Sequence, residues 1–217
     1  MTNVRIAAIV EGHGECEAVP VLVRRIALDI DPGFVPKVLH PLRVPASRLL
    51  KAGEMERSID LAARKLQGAG GIIVIVDCDW NGACPAREGP ILLERAVKAR
   101  SDIPVSVIFA KKEYEAWFLA AAESLRGKRG LPYTLEGPPD PESIRGAKEW
   151  ISERMPLGVS YSETDDQPAF TAEFDMGKAR EVASSFDKCY RDIFRMLNRL
   201  REGLGMHWLL QNRENDV

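Results

Sequence analysis

The sequence predicts an α/β fold: a mostly parallel, four-stranded sheet with flanking helices, followed by a helical C-terminal extension. Three observations carry this. Short apolar runs at residues 4–10, 72–76 and 104–109 have the texture of strands buried on both faces. Segments with apolar residues at helical spacing separate them, and such alternation argues for a parallel sheet covered by helices. Beyond Arg126 the texture changes to turn-rich and helical segments.

The first strand, VRIAAIV, ends at an acid and two glycines, EGHGE. A helix is expected over 16–29, with Val19, Leu22, Val23 and Ile26 on one face. Pro20 is tolerated only in a first turn, so that helix should begin just before it. A weaker strand follows within 34–44. Residues 53–67 form an amphipathic helix, with Met55, Ile59, Ala62, Ala63 and Leu66 on one face.

GAGG then breaks the chain, and IIVIV is the clearest strand, β-branched throughout. DCDWNGACP reads as a loop. Residues 89–100 read as a helix, 104–109 as a strand, and 113–125 as a helix rich in good formers. Trp117 is expected in the core.

This divides the chain into an α/β domain, 1–126, and a mainly helical extension, 127–217, packed on it. Within the extension the sequence predicts a short helix over 141–155 and an irregular polar stretch over 160–170. One or two helices are expected over 175–204, and a frayed tail over 211–217.

Bulk properties exclude little. The chain has 217 residues and a formal net charge of -2, so any nucleic-acid role needs a local basic face or a metal to offset acids. No apolar run is long enough for a membrane span. No signal peptide is expected, and Cys16, Cys78, Cys84 and Cys189 read as reduced thiols of a cytoplasmic protein. Zinc through Cys78, Cys84 and a histidine is a lesser alternative.

The chemistry concentrates at strand ends, where ligands gather in open parallel sheets. The first strand ends at Glu11, followed by Gly12, His13, Gly14 and Glu15. The strand IIVIV ends at Asp77, with Asp79 two residues on. The strand before residue 110 leads to Lys111, Lys112, Glu113 and Glu115. Converging carboxylates repel one another: two unit charges 4 Å apart cost about 4 kcal/mol at an effective dielectric of 20. Either their pKa values rise or a cation fills the gap. Hard oxygen ligands favour Mg²⁺ or Mn²⁺.

Each residue also has a plainer reading. Asp79 and Glu15 suit helix caps, Gly12 and Gly14 suit a tight turn, and His13 suits a solvated loop. Lys111, Lys112 and Arg43 suit a solvated face or contact with a nucleic-acid backbone. His40 and His207 read as structural. Asp165 and Asp166 either add acids to the site or bound a loop.

The pattern EG-x-x-E after the first strand, with D-x-D after the third, resembles the Toprim domain of topoisomerases, bacterial primases and overcoming-lysogenization-defect nucleases. Here it stands as Glu11-Gly12-His13-Gly14-Glu15 and Asp77-Cys78-Asp79, and this likeness covers residues 4–120. EYEAWFLA at 113–120, YSETDDQPAF at 161–170 and SSF at 184–186 look like domain-of-unknown-function family 4276, small bacterial proteins of Toprim type.

That resemblance implies a Toprim/Rossmann-like sheet and a site in which Asp77 and Asp79 hold Mg²⁺ or Mn²⁺. Glu11 would be an acid–base residue or metal ligand, and Glu15 and Glu115 further ligands or groups behind them. The pattern departs from two-metal nucleases after the last strand, where Lys-Lys-Glu-Tyr-Glu only approximates their second metal motif. It also implies an AAA or ABC-type ATPase partner, in settings suggestive of phage defence.

The leading expectation is therefore a Mg²⁺-dependent phosphodiester nuclease acting on DNA or RNA. In it, Glu11, Lys111 and Lys112 act at the phosphate, and Gly12, His13, Gly14 and Arg43 contact substrate. The alternatives are a metal-stabilised subunit that senses nucleic acid beside an ATPase, and phosphoryl transfer on a small nucleotide. A homodimer is left open.

Overall fold

The computed structural model describes residues 4–67, 70–80 and 82–214, with residues 204–214 described by backbone alone. His207 and the end of the expected frayed tail lie outside what is described. The elements run β1 (Arg5–Val10), α1 (Glu15–Ile30), β2 (Lys37–Val38), β3 (Leu42–Arg43), α2 (Ala46–Leu49), α3 (Glu54–Leu66), β4 (Gly70–Cys78), α4 (Pro85–Ala99) and β5 (Val105–Lys111). Then come α5 (Ala116–Ala120), three 3₁₀ turns between residues 122 and 143, α6 (Ala147–Ser152), α7 (Asp166–Glu173), α8 (Met176–Val182) and α9 (Ser184–Glu214).

Five parallel strands form one sheet in the order β2-β1-β4-β5, with β3 also on β1. The expected four strands become five because the second is split. Pro41 lies between β2 and β3, and proline brings no N–H to a ladder. Both fragments still pair with β1, at Arg5↔Lys37 and Val10↔Arg43.

Side-chain alternation builds two cores, one on each face. Ala7, Ile9, Ile72, Val74, Val107 and Phe109 point toward α3 and α4. Ile6, Ala8, Ile73, Ile75, Ile108 and Ala110 point toward α1, α5, α7 and α9. β4 is buried on both faces along almost its whole length, as a central parallel strand must be. It begins at Gly70 rather than Ile72. A side chain at Gly71 would stand 2.5 Å from the Met196 sulfur of α9, so glycine there lets the helix approach.

Several expected helices change bounds. α1 starts at Glu15, which places Pro20 in its second turn. The single expected helix after β5 shortens to α5 and a 3₁₀ turn. Trp117 is fully buried, and its indole N–H donates to Ser185 Oγ at 2.8 Å. The expected irregular stretch 160–170 is half helix, since α7 begins at Asp166. The C-terminal stripe resolves into α8 and α9, and α9 stays helical into the expected tail. Among the described residues no helix is long and apolar enough to cross a membrane.

Candidate functional site: a carboxylate cluster under a C-terminal strap

The sheet register brings the acids together. Ile9 pairs with Val74 and Asp77 with Ala110, so Glu11 and Asp77 leave adjacent strands at about the same height. Glu15, in the first turn of α1, is only 3% exposed. Its Oε2 accepts the backbone N–H groups of Glu11 (2.8 Å) and Gly12 (3.1 Å). It thus ties down the turn that aims Glu11.

After β5 the chain passes through Lys112 at φ 72°, a left-handed conformation costly for a side-chain-bearing residue. The Lys112 carbonyl accepts the Cys78 N–H, which fixes the bend. The bend brings the Tyr114 N–H to Asp77 Oδ1 at 3.0 Å and carries Glu115 inward until it is fully buried.

A segment of the C-terminal region, residues 146–167, straps across these groups. Tyr161 Oη donates to Glu115 Oε1 at 2.9 Å, and Gln167 Nε2 donates to the same oxygen at 3.1 Å. Lys148 Nζ lies 2.5 Å from Glu163 Oε1. The Gly146 N–H donates to Glu113 Oε1, which sets where α6 and Lys148 begin. Gly14 is where the strap touches the first loop. A Cβ there would stand 2.1 Å from the Glu163 carbonyl oxygen and 2.3 Å from Gln167 Oε1. Only glycine fits, and the space above it is filled by protein.

The electrostatics follow from burial. Burial pushes Asp77 well above the carboxylate range, and the neighbouring Glu15, Glu115 and Glu11 charges push it further. Burial also raises Glu11, with the backbone N–H groups of Ala46 and Asp77 opposing and Asp79 adding to the rise. Glu15 is raised by burial against the pull of its two backbone donors. Glu115 is raised to about 7, by burial above all, while Lys148 and the Tyr161 hydroxyl favour its charged form. Burial disfavours the Lys148 ammonium, yet Glu115, Glu163 and Asp77 outweigh it and hold the pKa above the ordinary lysine value. Lys148 is the one cation whose charge acts on Glu11, Glu15, Asp77 and Glu115 alike.

Two carboxylate oxygens, Glu11 Oε2 and Glu115 Oε2, are buried without a hydrogen-bond partner. Orphaned anionic oxygens of this kind are costly, and a cation answers the need. Among the described residues, no three His, Cys, Asp or Glu side chains form a ready metal-ligating set. Mg²⁺ does not require one: it is commonly held by one or two carboxylates, with water and substrate phosphate completing the shell.

The other candidate residues lie around this centre. Asp79 and His13 are exposed, and Gly12 is half-buried in the first loop. Arg43 is exposed and pairs in register with Val10. Lys111 is half-exposed, with Nζ 3.8 Å from Glu142. Of the two acids in the SETDDQ run, Asp166 bounds the loop: it accepts from Arg129 (2.7 Å) and from the Ser162 N–H (2.8 Å). Asp165 accepts from the Ser162 hydroxyl. All four cysteines are free thiols.

Lys148, Tyr161, Glu163 and Gln167 were not singled out by the sequence. Three lie in or beside a polar run whose composition suggested only a loop, and Lys148 carries no local signal at all. No curated protein and no solved structure matches the chain. A family model does match, over residues 10–193, a span that takes in both the strand-end acids and the strap; the chain belongs to the family described as Domain of unknown function (DUF4276).

Proposed function

We propose that the chain is a Mg²⁺- or Mn²⁺-dependent phosphodiesterase of Toprim type that hydrolyses nucleic acid at the Glu11/Asp77 centre. The observation that carries the reading is the pair of orphaned buried oxygens on Glu11 and Glu115, flanking an Asp77 carboxyl that its neighbours resist ionising. Glu11, Asp77 and Asp79 would hold the cation, which would polarise the phosphate and stabilise charge on the leaving oxygen.

The chain's own groups divide the remaining work. Glu11, with its pKa raised, is suited to take a proton from an attacking water at near-neutral pH. Lys148 offsets the negative potential that would otherwise repel a phosphodiester. Glu115 is a positioning residue: being fully buried, it meets no substrate, but it locks Tyr161 and Gln167 and thereby the strap. Lys111 and Arg43 are exposed cations on the same sheet edge, suited to backbone phosphates.

The test is incubation of the purified protein with single- and double-stranded DNA and RNA, in Mg²⁺, in Mn²⁺ and in chelator, alongside Asp77→Asn. Cation-dependent cleavage lost in Asp77→Asn is expected. Intact polymers under every condition, with and without an ATPase partner, would overturn hydrolysis.

A further inference from the structure

A second concave site opens on the same sheet edge, one strand over. It is a cleft of about 490 Å³ between α4, β5 and the start of α9, within the size range of small-molecule sites. Val107 and Phe109 form its floor, and Pro85, Pro90 and Leu93 its apolar wall. Lys111, Lys188 and Ser184 make a polar, positively charged rim, both lysine side chains being well exposed. Gly89 keeps the cleft open. A Cβ there would meet nothing nearer than the edge of the Phe109 ring, at 3.9 Å.

β5 is the edge strand, so the cleft also meets unpaired backbone. In a parallel pair alternate residues bond to the neighbouring strand. The Ile72 N–H donates to the Pro104 carbonyl, which leaves Val107 and Phe109 facing the free edge. An added peptide strand is a poor occupant. Lys188 Nζ already takes the Val107 carbonyl, at 3.5 Å, and Ser185 Oγ already takes the Lys111 N–H, at 3.2 Å. What stays available is an apolar slot with backbone hydrogen-bonding groups of Phe109 at its base and two ammonium groups at its mouth. A flat ring with apolar faces, a hydrogen-bonding edge and an attached anion matches all three features.

We propose that this cleft is a nucleobase subsite, receiving the base of a nucleotide whose phosphate lies toward Lys111 and the carboxylate cluster. The subsite deepens the reading of that cluster as a phosphodiesterase centre and rests on it for the choice of substrate. Its test is binding rather than cleavage, so the two fail separately. Fluorescence of a 2-aminopurine dinucleotide is titrated in chelator, without divalent cation, against wild type, Gly89→Ala and Gly89→Leu.

Wild type and Gly89→Ala are expected to quench the fluorophore alike. Gly89→Leu, which fills the slot from a helix that tolerates leucine, should bind at least tenfold more weakly at an unchanged melting temperature. Lys188→Gln should weaken 2-aminopurine riboside monophosphate but not the riboside. No quenching by wild type at millimolar protein, or equal binding by Gly89→Leu, overturns the subsite whatever the cleavage assay gives. Equal binding of monophosphate and riboside by wild type removes the rim lysines from it. Retained binding with no cleavage overturns hydrolysis and leaves the subsite standing.

Discussion

The acids on the strand ends and the strap that covers them are built by opposite means. Glu11, Glu15, Asp77 and Asp79 sit within a few residues of a strand end, so β-strand geometry alone puts them at one edge. Lys148, Tyr161, Glu163 and Gln167 come from a region remote in sequence and arrive only through packing of α6 and α7. The first group supplies negative charge. The second supplies the cation, the hydrogen bonds and the cover that make this charge tolerable. An acidic edge is therefore half a site, and its chemistry depends on a region whose sequence looks like a linker.

Separating the two groups is the sharpest way to test that dependence. Asp77→Asn keeps an oxygen for the Tyr114 N–H while removing the charge. Cation-dependent cleavage is expected to fall by about a hundredfold or more, the scale of losing one transition-state contact, and calorimetry should show weaker Mn²⁺ binding. Unchanged cleavage would mean that the acidic edge is structural.

Gly14→Ala attacks the seam between the groups. The Cβ clashes with the Glu163 backbone, which cannot swing aside as a side-chain tip can. Overpacking of this kind costs about 3 kcal/mol, read by urea denaturation. Proteolysis should then cut between residues 153 and 165. An unperturbed Gly14→Ala would show that the strap does not seat on the first loop.

Acidity offers a third separation. Glu115 is raised from 4.5 to about 7, so the folded protein holds a proton that the unfolded chain releases. Stability of the cation-free protein is then greatest below about 4.5 on this account. It falls as pH climbs from there to about 7, and levels off above, having lost roughly 3 kcal/mol. Glu115→Gln should flatten this segment of the pH–stability curve. A curve of the same slope in the variant would assign it to another group.

Lys148→Met removes the shared ammonium and leaves the acids uncompensated. Because the lysine is partly exposed, water screens some of the loss, and a decrease of about 1–2 kcal/mol at pH 8 is expected. Saturating Mn²⁺ should restore most of it; no restoration would show that metal and lysine charge do not act on the same carboxylates. Lys112→Gly is the smallest change. It relieves the left-handed backbone and should stabilise by about 1 kcal/mol, measured as a rise in melting temperature.

By itself the sequence determined the parallel α/β frame, because strand and helix periodicities are local properties of β1, α1, α3, β4 and β5. It also determined that Glu11 and Asp77 share an edge, since each is the first acid after a buried apolar run. It did not divide the 34–44 segment at Pro41. Nor did it say that Gly14 serves a close contact rather than a turn, or that Asp166 pairs with Arg129 rather than facing the acids. Those outcomes rest on contacts between residues distant in the chain, such as Tyr161 with Glu115 and Gly14 with Glu163. No local period encodes such contacts. Charge balance in a buried site is set by whatever the fold brings within a few ångströms, and here only the tertiary structure brought Lys148 to the carboxylates.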